Sequence, residues 1–285
     1  MCSSARSREV ARVGINPIEY RPWKGQRTAQ NARFYVIARS ILNHKIKSVG
    51  VIVLLALGFF LVHVMQILTT VFSPHEGLEG DVMSGYMGDG ILAVFAMLLA
   101  AVLTSDLISE DFANSSFVLY FSRAIKVRDY LIGKTGAALI VMGILCAIPP
   151  VLVGIVSIAT QTGDDYWHSA GILGRTAVAG TLVTVFFVPY GLMISSFTKR
   201  KSYAAVGTFM SFFALTQVSG IFSDFDPAWG VISPVESLSY AIDWIFGFGI
   251  PTEIPGAGLA AFIAMFIVVP SVIVWMKIQR QVIGK

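Results

Sequence analysis

Charge is scarce in this chain. Only 13% of its 285 residues are Asp, Glu, Lys or Arg, against about 25% in an ordinary soluble domain. Apolar residues reach 55% and the mean hydropathy is +0.72. Cysteine is nearly absent: Cys2 and Cys146 are the whole supply, and Cys146 lies in an apolar run, so no disulfide framework is expected. The four histidines, His44, His63, His75 and His168, are scattered, and convergent metal ligands are not expected from them. The sequence holds no His-Glu-x-x-His and no Gly-x-Ser-x-Gly. No cleavable signal peptide is expected, because the polar stretch through Ser48 precedes the first apolar run.

What the sequence does have is six long apolar runs: Val49–Phe72, Gly90–Leu107, Leu131–Thr160, Leu173–Phe197, Tyr203–Phe222 and Gly256–Met276. Crossing a bilayer takes about 20 apolar residues in a helix, and each run is near that length. Barrel strands would be shorter and would alternate, which these runs do not. The chain therefore reads as an all-α integral membrane protein with six spans, because only helices satisfy the backbone of such runs in lipid.

Basic residues alternate between sides. Ten precede the first run; Arg123, Lys126, Arg128 and Lys134 lie around the start of the third, Lys199 to Lys201 between the fourth and fifth, and Lys277, Arg280 and Lys285 at the end. The other loops, Ser73–Asp89, Gln161–Ile172 and Ser223–Pro255, carry acids and no Lys or Arg. Of 21 basic residues only Arg175 falls on the opposite side, where it is expected to snorkel to the headgroups. The excess of positive charge predicts both termini in the cytoplasm. It also accounts for the basic pI through anionic lipid, so no nucleic-acid partner is expected.

The cytoplasmic pieces are distinctive. Residues 1–31 read as an extension. Over 32–47 the residues Phe34, Ile37, Ala38, Ile41, Leu42 and Ile46 share one face at helical spacing, with Val36 and Lys45 as exceptions. This predicts an amphipathic helix in the interface, followed by the transmembrane domain over 48–285. The loop over about 108–130 is too long for a plain connector. It is acidic first and basic last, and its middle holds Phe112, Phe117, Tyr120 and Phe121. Such a segment is expected to fold as a short helix that offers a few side chains to a cytoplasmic partner.

This loop resembles that of the permeases of ABC type-2 exporters. The matching positions are Glu110 or Asp111, Ser115-Ser116-Phe117, Leu119 through Ser122, Ile125 through Arg128, and the closing Tyr130-Leu131-Ile132-Gly133-Lys134. Ser-Ser replaces the usual Gly-Thr, and Ala124 stands where Pro is common. The resemblance implies that Glu110, Asp111, Phe112, Phe117, Tyr120, Phe121 and Arg123 form a coupling helix docking on a separate ATPase. That subunit would use ATP and Mg, with no cofactor bound by this chain. It implies a connecting helix before the first span, a second permease copy as partner, and a place in the plasma membrane.

Three further features complete the reading. Ser233, Pro234 and Glu236 predict a capped helix over about 233–248, on the outer interface or re-entering the bilayer; the resemblance favours re-entry. Pro149-Pro150, Pro189 and Pro270 predict kinks. His63 and Gln66 in the first run, and Thr216 and Gln217 in the fifth, are candidates to line a path, with interhelical hydrogen bonding as the plainer role.

Rival signatures fail. Gly133-Lys134-Thr135 ends like a phosphate-binding loop, but Arg128 stands where the opening Gly is needed. Gly85 through Asp89 misplaces one Gly of an intramembrane aspartyl-protease signature. No nucleotide site and no enzymatic activity are expected of this chain. The alternatives to an exporter are a maturation permease resembling the copper-enzyme accessory transporters, which serves an external protein, and a non-transporting scaffold. The substrate is not legible.

Overall fold

Buried in hydrocarbon, an apolar chain bonds its own amides, and helix is the result. The computed structural model describes residues 33–72, 79–88, 90–122, 125–160, 166–223, 225–251, 254 and 256–283, and no strand occurs among them. The expected extension over 1–31 lies outside the described residues.

Among the described residues the α-helices follow in order: α1 (Arg33–Lys45), α2 (Val49–Phe72), α3 (Gly80–Gly88), α4 (Gly90–Thr104), α5 (Ser109–Ala113), α6 (Phe117–Ser122), α7 (Val127–Cys146), α8 (Ile148–Thr160), α9 (Tyr166–Phe197), α10 (Lys201–Ser223), α11 (Pro234–Phe246) and α12 (Gly256–Ile283), with a 3-10 helix at Pro227–Ile232. Among the described residues six stretches are long and apolar enough to cross a membrane: α2, α4 with α5, α7 with α8, α9, α10 and α12. The chain is thus a multi-pass helical membrane protein.

The second and fourth spans are 67% and 56% buried, while the first, fifth and sixth reach only 17%, 17% and 22%. The second and fourth spans therefore form the centre. α9 packs on α4, α7, α8, α10 and α12, and α4 packs on α2, α7 and α10. An aromatic stack ties spans four, five and six together. Phe186 and Tyr190 stack on Phe266 at 4.6 and 4.9 Å between ring centres, and Phe187 meets Phe212 edge-on at 5.2 Å. Between membrane helices such close packing is a main source of adhesion.

The prolines divide. The third span breaks at Ala147, where Pro149 and Pro150 supply no N–H to the turn before them. α9 and α12 run uninterrupted through Pro189 and Pro270, so those two positions do not end a helix as Pro149-Pro150 does. The break is seated on Gly180 of α9: a Cβ there would lie 2.8 Å from the Cys146 carbonyl and 2.9 Å from Ala147 Cα. Only glycine admits backbone that near.

The first span holds a π-helical turn, Phe59–Val64, which no apolar pattern predicts. The loop read as Ser73–Asp89 contains α3, a further departure from the sequence reading.

At the acidic end, α3 packs against α11. Ser233 Oγ accepts from the Glu236 N–H at 3.2 Å with Pro234 next, and Gly247 ends α11 at φ +91°. Ser84 donates to Asp243 across the two helices. Arg175, expected to reach headgroups, donates instead to the carbonyl of Phe246 at the C-terminus of α11. A cation suits that end of the helix dipole, where the last carbonyls lack helical partners.

Candidate functional site

The features that distinguish the sequence meet at the basic end. α1 lies on α7, turning Ile37, Ala38, Ile41 and Leu42 inward at helical spacing while Phe34, Tyr35, Val36 and Ile46 remain exposed. Lys45, the exception in the sequence pattern, is buried on that inner face and pairs with Asp106 at the end of the second span. Burial pushes its ammonium below the usual 10.5, against the pull of Asp106. The approach of α1 depends on Gly133, whose added Cβ would sit 2.9 Å from both Ile37 Cβ and the Phe34 carbonyl.

The second span does not stop where its apolar run ends. It turns through Ser105–Ile108 into α5. The first amides of α5 have no partner within the helix, and Ile108 offers no capping oxygen. Ser195 of α9 supplies it. Its Oγ accepts from the Ser109 N–H at 3.1 Å and donates to the Ser105 carbonyl at 3.0 Å.

One turn on, Asp111 is buried. It accepts from Tyr130 Oη at 2.5 Å and from Lys134 Nζ at 2.5 Å. Lys134 also donates to the Leu107 carbonyl, and its ammonium stands 4.7 Å above the Tyr130 ring. Such a buried cation needs a carboxylate and additional donors or acceptors to offset its lost hydration. Tyr130, Gly133 and Lys134, which carry the resemblance, thus form a clasp joining α1, α5 and the third span.

The aromatics continue the clasp. Phe117 is buried against Phe112 and Tyr130 at 4.8 and 5.7 Å, and Phe121 stacks on it at 6.2 Å. Tyr120 meets Tyr130 edge-on at 5.3 Å. Burial, then the charge of Asp111, raises the Tyr120 hydroxyl above its usual range. Lys277 of α12 bridges Phe112 and Phe197, 5.7 and 3.8 Å from their ring centres.

The predicted coupling residues therefore divide by position. Asp111 and Phe117 are buried, and Phe112, Tyr120 and Phe121 are half-buried against their own chain. Glu110 faces outward, with Lys201 at 3.7 Å. Arg123 lies outside the described residues. Leu119, which the resemblance matches but which is not among the predicted coupling residues, is 71% exposed beside Glu110's segment. Between α5 and α6, Ser115 adopts φ +52°, the left-handed region where glycine is at ease.

The candidate path residues lie apart. His63, inside the π-helical turn, is fully buried; its Nδ1 meets the Tyr86 hydroxyl, and its ring packs against Phe59. Its Nε2 has no hydrogen-bond partner among the described residues. Gln66 is half-buried one turn on. Thr216 returns its hydroxyl to the Phe212 carbonyl at 3.1 Å, and Gln217 is exposed. No hydrogen bond among the described residues joins the two pairs, and the contact of His63 with Tyr86 holds α2 to α3.

No family model and no curated protein matches this chain.

Proposed function

We propose that the chain is the permease subunit of an ABC type-2 exporter in the plasma membrane. Its basic end faces the cytoplasm, and a separate ATPase, using ATP and Mg, docks on α5 and α6. The positive-inside distribution supports the orientation. The observation that carries the coupling role is the construction of that segment. Its outward surface includes the exposed Glu110, Asn114 and Leu119, while its inner face and the turn leading into it are fixed to four other elements through Asp111–Lys134, Ser195, Lys45–Asp106 and Lys277.

A segment built this way transmits force. A push on Glu110 and Leu119 reaches α9 through Ser195, α7 through Lys134 and α12 through Lys277, and the spans move as units because packed interiors do not deform continuously. Two copies of the chain would enclose the path, with the α11 helices on the outer side and α1 at the cytoplasmic interface. The chain itself supplies no nucleotide site.

Co-purification tests this. The E110A/L119A double substitution is expected to lose the ATPase subunit from the purified complex, or to leave hydrolysis running without transport. W244A, which removes a side chain 65% exposed at the opposite end, should leave both intact. An unchanged complex and unchanged coupled transport in E110A/L119A would remove the proposal.

A further inference from the structure

Spans three and six do not close on one another. α7 and α12 each pack along α9 and meet one another over a much shorter length, so α9 forms the floor of a groove between them. The groove has a volume of about 400 Å³, within the range that holds small apolar ligands. Pro189 and Leu192 lie buried on the floor, and Leu131, Leu139 and Val274 line the walls. Ile132 and Trp275 on its rim are exposed, so it opens sideways, where a bilayer would be, and not only toward water.

Arg128 stands at the mouth, in the first turn of α7. It is exposed, and among the described residues nothing pairs with it. A cation at the edge of an apolar groove in a membrane protein attracts the anionic headgroups of the surrounding lipid. The groove behind it offers hydrocarbon contacts, with few polar groups for a small soluble anion to bond. An indole at the same mouth suits the headgroup level. Basic pockets between membrane helices on the cytoplasmic side hold anionic lipid headgroups.

We infer that this groove binds one anionic phospholipid, its phosphate on Arg128 and an acyl chain along Leu131, Leu139 and Val274. Such a lipid joins the third and sixth spans where their side chains do not. It would seat there whether or not an ATPase docks at the same end. A zwitterionic lipid carries a second, positive group into the neighbourhood of Arg128 and Lys126, so the site discriminates by charge.

Gly136 supplies a second handle. It lines the groove, and nothing lies within 4 Å of a Cβ built on it, so a large side chain there would enter the groove and not the protein. The full chain would be reconstituted with equal phosphatidylglycerol and phosphatidylcholine, and the retained lipid read by native mass spectrometry. The wild type is expected to retain phosphatidylglycerol preferentially. R128Q, an exposed substitution that leaves packing intact, should lower that retention roughly fivefold. G136F should remove the bound lipid of either class, and excess inorganic phosphate should not displace it. Equal retention of both lipids by the wild type would overturn the inference. So would undiminished phosphatidylglycerol in R128Q, or displacement by inorganic phosphate, which would mark an adventitious ion only. If G136F does not fold, R128Q decides alone.

Discussion

Lys134 and Asp111, 23 residues apart in sequence, meet at 2.5 Å in a nearly closed site at the start of the third span. Tyr130 shares the carboxylate and the Leu107 carbonyl shares the ammonium. This pair fixes α5 to the third span, and its removal should be felt as more than a lost contact. Taking away one partner leaves the other charge buried and uncompensated, at about 3–5 kcal/mol. K134M or D111A alone should lower the thermal midpoint of the purified protein sharply. The double variant K134M/D111A should be less damaged than the sum of the two. Additive losses would show that the charges act independently.

Lys45 makes stability depend on pH. Its folded-state pKa lies below the unfolded 10.5, because burial outweighs the attraction of Asp106. Between those two values the unfolded chain binds more protons than the folded one, so stability rises with pH across that window. The wild type should therefore gain on K45M as pH climbs toward 10.5, in thermal melts compared at each pH. A difference that stays flat would contradict the burial of a charged Lys45.

Ser115 holds the turn between α5 and α6 at φ +52°. A residue with a Cβ pays roughly 1–2 kcal/mol there, and the resembling permeases commonly carry Gly in this part of the motif. S115G is expected to raise stability by about 0.5–1 kcal/mol after the entropy of the freer unfolded chain is subtracted. S115V should lower it. A neutral S115G with a stable S115V would place the turn elsewhere.

Gly180 and Gly174 lie on the same helix in opposite situations. A Cβ on Gly180 would meet the Cys146 carbonyl at 2.8 Å, whereas nothing lies within 4 Å of one on Gly174. G180A should cost about 1–3 kcal/mol by forcing the broken third span away from α9. G174A should be neutral. Equal tolerance in a thermal-stability assay would mean that the break at Ala147 is not seated on α9.

The six spans were legible because each is a continuous apolar run, and that signal is local. α1 was legible by its spacing, although Lys45 read as a flaw in the pattern. Its pairing with Asp106, 61 residues away, is set by the packing of α1 on α7, which no window of sequence contains. The motif Tyr130 to Lys134 was visible as a resemblance, but its physical role, a clasp around Asp111, depends on the second and third spans meeting. α3 escaped notice because Gly80–Gly88 is glycine-rich and short, and its helix is supported by α11 from far along the chain. The polar character of His63 stood out at once, while its partner Tyr86 sat in what read as a loop.

The coupling role is tested most directly by a photo-activated cross-linker at Leu119 in the assembled complex. The expected product joins this chain to a protein that is itself labelled by a photoreactive ATP analogue, and the same probe at Trp244 gives none. If the Leu119 probe captures no nucleotide-binding protein, or if the isolated chain takes the ATP label itself, the account of α5 and α6 as the receiver of an ATPase's stroke is wrong.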